Sequence, residues 1–213
     1  MIEGLSSRYV LVYAGINDVA IKGAEKYDNM KSPDPKRRFA DSIKNKSALY
    51  EMYKIVKGIL AARMAKVVYG SGPRAGLDWQ PWHRRDEPLE IPGDLSEHLE
   101  AYKSRIIHLN EEIHKFGAKP IFVTQPSADY RFRGNWILLP AGDKHDDAKN
   151  QFLVLNAFNH VAMRTCLDLG GICLDLAADV TFEDGDFYDR IHNSDKGAEK
   201  VGKYLFEALR SYL

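Results

Sequence analysis

The chain is poor in cysteine: Cys166 and Cys173 are the only two in 213 residues. Two thiols cannot build a disulfide framework, and each lies in an apolar stretch. Small buried hydrophobes are expected there in preference to a bridge or a metal pair. Long apolar runs are also missing, since nothing approaches the ~20 consecutive residues that cross a bilayer. The start Met1-Ile2-Glu3-Gly4-Leu5 has neither the basic beginning nor the apolar centre of a secretion signal. If the sequence is complete as written, a cytoplasmic protein is expected. Net charge is absent too, because 30 basic and 30 acidic side chains cancel. That balance gives no reason to expect a nucleic acid or an anionic membrane as partner. The cluster Lys36-Arg37-Arg38, beside Pro33 and Pro35, reads as a solvated loop. No internal repeat is visible, and no glycine-rich phosphate loop follows the first strand, which ranks a nucleotide binder last.

What is present is an alternation of strands and helices. Residues 8–14, rich in Val, Leu and Tyr, predict a strand covered on both faces. Residues 120–125 and 172–176 predict two more. A helix beginning near residue 95 carries Leu99, Tyr102, Ile106, Ile113 and Phe116 on one side, with Asp94 or Ser96 as its cap and Gly117 as its stop. A second runs from about 149 to Leu169, stopped by Gly170-Gly171, and a last one from about Ser194 to Tyr212. Such helical crossovers imply parallel strands. Residues 19–94 read as one long insertion within a single domain, holding a helix after Ser47 and a short strand near Lys66-Val67-Val68-Tyr69. Residues 127–148 read as a loop. Three strands are few, since α/β sheets usually carry about five or more.

Two segments carry chemistry. The first strand stops abruptly at Gly15-Ile16-Asn17-Asp18, and ligands of open α/β sheets sit at the carboxyl ends of strands. Near the other terminus, Asp189 stands three residues before His192, just ahead of the final helix. This is a compact way to deliver an oriented general base. Asn193 or Ser194 would cap that helix. Asp18 and Asp186 read as structural loop carboxylates. His108 and His114 do not share a helix face, and His145-Asp146-Asp147 reads as a helix start before a metal site. Trp79, Trp82 and Trp136 suit either stacking on sugar rings or anchoring of the insertion.

Gly15-Ile16-Asn17-Asp18 after a strand, with Asp189 to His192 before a C-terminal helix, resembles two conserved blocks of the SGNH (GDSL-type, lipase- or esterase-like) hydrolases. The segment ending in Thr124-Gln125-Pro126 is similar to the stretch those enzymes carry in between. The resemblance covers residues 8–18 and 95–213. It implies a flavodoxin-like three-layer α/β/α sandwich and an acylhydrolase that cleaves small-molecule or carbohydrate esters without metal or organic cofactor. His192 is then the base, Asp189 its orienter, Asn17 an oxyanion donor, and Gly15 the residue that lets the chain turn. The Gly-Asp-Ser block of that family is missing from residues 1–8. The resemblance therefore implies a nucleophile and two first strands upstream of Met1, so that this portion alone is inactive. It also implies a bare edge on strand 8–14, open to self-association. Ser71, in Gly70-Ser71-Gly72, and Ser127, beyond strand 120–125, are the resident alternatives, each set against an ordinary turn serine. The other reading is a silent SGNH-like binding or scaffold module.

Overall fold

The computed structural model describes residues 7–16, 50, 52–53, 56–57, 76–91 and 95–212. The chain divides into two compact units, one of residues 1–20 and 70–213, the other of residues 21–69. In the second unit the described residues Tyr50, Met52, Tyr53, Val56 and Lys57 are helical. The rings of Tyr50 and Tyr53 stack with centroids 6.3 Å apart. The strand expected near residues 66–69 lies outside the described residues, as do Asn17, Asp18, Ser71 and Asp94.

The first unit is α/β and contains two sheets. Strand β1 (Tyr9–Tyr13) lies parallel to β3 (Lys119–Val123), and β3 lies parallel to β6 (Ile172–Leu174), giving the order β1-β3-β6. The middle strand is buried on both faces, which explains its apolar Ile121-Phe122-Val123 run. Phe122 packs with Tyr102 and Ile106 of helix α1 (Ser96–Lys115), and with Phe158, Ala162 and Cys166 of helix α2 (His145–Asp168). Ile121 and Val123, on the opposite side, pack with Leu174, Leu176 and Leu209, against which Val201, Tyr204 and Leu205 of helix α4 (Asp195–Leu209) are set. Leu176 opens the one-turn helix α3 (Leu176–Asp179).

Several elements differ from the sequence reading. Residues 127–148 are not a loop. Strands β4 (Arg131–Arg133) and β5 (Trp136–Pro140) form a hairpin in which Arg133 faces Trp136 across the turn Gly134-Asn135. Gly134 has φ +56°, the left-handed conformation a two-residue hairpin turn demands. Part of the range read as insertion joins it: β2 (Trp79–Arg84) runs antiparallel to β5, with a register shift between Pro81 and His83. Pro81 is tolerated because β2 is an edge strand. This sheet closes a second core of Tyr130, Ile137, Leu139, Ala148, Phe152 and Leu153, with Trp82 against it. Leu95, not Asp94 or Ser96, precedes α1, and it supplies no side-chain cap. Gly117, with φ +85°, ends that helix as expected.

The cysteine expectation is overturned. Cys166, in the last turn of α2, and Cys173, in β6, are joined as a disulfide. The tight turn at Gly170 and Gly171, with φ +67° at Gly170, returns the chain onto the helix it has just left. The two side chains therefore meet within an apolar layer. Among the described helices, none is long and apolar enough to cross a membrane.

Candidate functional site

Strand β1 leaves its sheet at Ala14. Gly15 is buried with φ +137°, and a Cβ built on it would lie 2.5 Å from the Tyr102 hydroxyl. That hydroxyl donates weakly to the Ala14 carbonyl at 3.4 Å. A side chain is thus excluded by both backbone angle and space. The next amide, Ile16 N, donates to Gln125 Oε1 at 2.7 Å. Gln125 lies just past the carboxyl end of β3, and the parallel register places Tyr13 opposite Val123. Its own backbone is held by one side chain of α2: Gln125 N donates to Asn159 Oδ1 at 3.1 Å, and Asn159 Nδ2 donates to Gln125 O at 2.9 Å. Asn159 thereby imitates a neighbouring strand where the ladder has ended. Thr124 is fixed in the same way, donating to Asp175 Oδ1 at 2.8 Å and accepting from Ala177 N at 2.9 Å.

The Asp189–His192 segment is anchored on the following residues of the same loop. Ala128 N donates to Arg190 O at 2.8 Å. The Arg190 guanidinium donates through Nη2 and Nε to Oδ2 of Asp129, which is 1% exposed, at 3.0 and 3.3 Å. At the base of the segment, Ser194 N donates to Asp186 O at 2.9 Å and Tyr188 N to His192 O at 3.1 Å, closing a narrow loop. Asp186 is fully buried. Its Oδ2 accepts from Lys200 Nζ and from Glu183 N, each at 2.6 Å, and Lys196 Nζ lies 3.5 Å from Oδ1. Burial raises its pKa, but these donors and cations outweigh that and hold it below the ordinary carboxylate value. Ser194 caps α4 by accepting from Gly197 N.

At the tip, the Asp189 carboxylate serves three donors. Oδ1 accepts from Ile191 N and His192 N, each at 2.8 Å, and Oδ2 accepts from His192 Nδ1 at 2.6 Å. Burial raises the Asp189 pKa, but the Ile191 amide, the His192 ring and the His192 amide together lower it further. A carboxylate only accepts, so Nδ1 carries a proton, and in the neutral ring Nε2 then presents its lone pair. The ring stacks on Tyr188, with centroids 5.5 Å apart and planes 7° apart, and the His192 side chain is 58% exposed. This is a solvent-facing imidazole of fixed tautomer, able to take a proton.

The turn at Gly15 and the loop carrying His192 are thus tied to one stretch, residues 125–129, at the carboxyl rim of β3. Asn17, the expected oxyanion donor, lies outside the described residues. Ser127 does not answer to a nucleophile: it is 3% exposed, donating to Asp129 Oδ2 at 3.2 Å and accepting from Asp129 N at 3.3 Å. Asp129, Asn159, Tyr188 and Arg190 are supporting residues with no role in the sequence reading, and Gln125 enters it only as part of the segment 124–126. One signal did exist for Asn159, an amide amid the apolar Leu153, Leu155, Ala157 and Phe158.

Among the described residues, no group of three or more His, Cys, Asp or Glu side chains could hold a metal ion. A small hollow of about 80 Å³, lined by Tyr130, Asn156, Asn159, His160 and Asp175 among others, opens beside α2, and His192 is not in its wall. Compared with protein-family models, curated proteins and solved structures, the chain matches none.

Proposed function

We propose that the chain supplies the proton-transfer half of an ester-cleaving centre of the SGNH kind, on a flavodoxin-like three-layer α/β/α scaffold. The observation that carries the reading is the 2.6 Å bond from His192 Nδ1 to Asp189 on a loop pinned to the rim of the sheet. In that chemistry a serine hydroxyl attacks the ester carbonyl while Nε2 takes its proton. The imidazolium formed is stabilised by Asp189, and the proton passes to the departing alkoxide. Water then repeats the sequence on the acyl-enzyme. Asn17 is assigned the oxyanion, a role whose loss typically costs ~3 kcal/mol of transition-state stabilisation. Gly15 sets the turn that presents it. Ser127 is buried and engaged and Ser71 lies outside the described residues, so the serine stays assigned where the resemblance puts it, upstream of these residues. Small-molecule or carbohydrate esters are the proposed substrates, and no cofactor is required. The strand order β1-β3-β6 supports the scaffold, being what the order 2-1-3-4-5 keeps when its first two strands are removed.

The test is hydrolysis of p-nitrophenyl acetate by this chain and by a longer version that includes the residues encoded upstream. Turnover is expected in the longer version, falling by roughly 10³-fold or more in His192→Ala with folding intact. Unchanged turnover in that variant ends the reading. The engagement of Ser127 also favours a second reading, a silent SGNH-like binding module, which activity in neither version would support.

A further inference from the structure

A cavity of about 290 Å³ lies between the antiparallel sheet and residues 181–184, on residues distinct from the Asp189–His192 loop. It is many times what one water needs, ~15 Å³. Trp79, Arg131, Phe132, Leu138, Phe182 and Asp184 supply most of its wall.

Arg131 is 8% exposed, and its hydrogen bonds are unevenly spread. Nη1 is committed to backbone, donating to Tyr130 O at 2.8 Å and Ala128 O at 3.4 Å. The guanidinium lies over the Trp79 ring, 4.3 Å from its centroid. Along its other edge, Nη2 makes one long contact, 3.4 Å to Asp184 Oδ1, and Nε is buried with no acceptor. Trp79 Nε1 is buried without an acceptor as well. Two orphaned donors on touching residues are costly unless something accepts from them. The Nε–Nη2 edge of arginine is the one a carboxylate meets with two parallel bonds. Asp184 does not do this, because its second oxygen accepts from Gly76 N at 3.0 Å.

The two carboxylates of the wall are already engaged, Asp184 by Arg131 and the Gly76 amide. Glu183 is flanked by Lys196 and Lys200, each at 3.7 Å, and both lysines also face Asp186. Arg133, on the rim, has no ion pair among the described residues. Lys196, Lys200 and Asp186 lie outside the wall, whose own charges balance, Arg131 and Arg133 against Glu183 and Asp184. Apart from Thr181, the rest of the wall, Phe132, Leu138, Phe182 and the Trp79 ring, is apolar.

We infer that this cavity is a binding site for a small organic monocarboxylate with an apolar body, its carboxylate on the Arg131 Nε–Nη2 edge and the Trp79 indole N–H. The site is independent of the proton-transfer loop and of the hydrolase reading.

The test is a nitrogen-15 NMR titration of the whole chain with benzoate, and with the neutral benzamide as control. Benzoate is expected to move the Trp79 indole and Arg131 Nε–H signals saturably below about 10 mM, and benzamide is not. Trp79→Phe keeps the ring and removes one donor, so affinity should fall roughly 2- to 10-fold. Arg131→Lys keeps the charge and removes the paired edge, so it should fall about tenfold or more. Absence of saturable shifts, equal binding of benzamide, or undiminished affinity in the folded variants overturns the assignment. If Arg131→Lys does not fold, the wild-type comparison and Trp79→Phe decide it.

Discussion

Gly15 is constrained twice, by a φ of +137° and by the Tyr102 hydroxyl. The two effects separate by mutation. Gly15→Ala should destabilise the fold by about 2 kcal/mol in urea unfolding, because strained backbone and a displaced neighbour add. Tyr102→Phe in the same chain should restore only the steric part, leaving the backbone cost. The Asp189 carboxyl is the second residue-scale test. Its pKa is lowered in the fold, so the unfolded loop binds protons more readily. The stabilisation it gives is complete above the ordinary carboxylate value of ~4 and drains away as pH falls through the depressed one. Hydrogen exchange at the Ile191 and His192 amides should therefore lose protection on acidification. In Asp189→Asn that acid-linked step should be absent. The Asp189–His192 pair was legible in the sequence because it is local, three residues apart. The residues holding it in place were not. Arg190 reaches Asp129 across 61 positions, as Gln125 reaches Ile16 across 109 at the other turn, and no spacing rule connects residues so distant.

At the scale of elements, the parallel strands and their helices could be read from apolar runs and glycine stops, since those signals are local and redundant. The hairpin β4–β5 had a signal in Gly134-Asn135 between apolar stretches, but the charged flanks Arg131 and Arg133 masked its alternation. Strand β2 had none, because an edge strand carrying Pro81 lacks the usual composition. The Cys166–Cys173 bridge depends on the return of β6 onto α2, which spacing alone does not give. It closes a short loop, and the chain-entropy estimate for one of this size is about 2.5 kcal/mol. The double variant Cys166→Ala/Cys173→Ala should lose about that much in denaturant unfolding, and reducing agent should do the same to the wild type. Helix α4 has a sharper dependence. A Cβ at Gly197 would overlap the Asp186 carbonyl, a backbone group that cannot step aside. Gly197→Ala should cost roughly 2 kcal/mol or more and loosen the loop bearing His192, seen as faster exchange at the Ser194 amide.

Taken whole, the first unit rests on a parallel sheet with helices on two faces and on an antiparallel sheet seated against α2. The outer edge of β1 pairs with no strand among the described residues, and Leu11 on that strand is 41% exposed. Concentration-dependent association through this edge is expected in sedimentation velocity, and Leu11→Lys should suppress it, since an edge lysine opposes strand addition. Both signals the sequence offered meet on residues 125–129, and this stretch keeps its shape partly through Asn159, whose nitrogen and oxygen each have an assigned task. Asparagines shed ammonia as proteins age. At this position the lost nitrogen would leave a negative oxygen facing the Gln125 carbonyl, where before a donor stood. A change of one mass unit on α2, far from Gly15 in sequence, would then unfasten Gln125 and with it Ile16, and Asn159→Asp imposes that change directly.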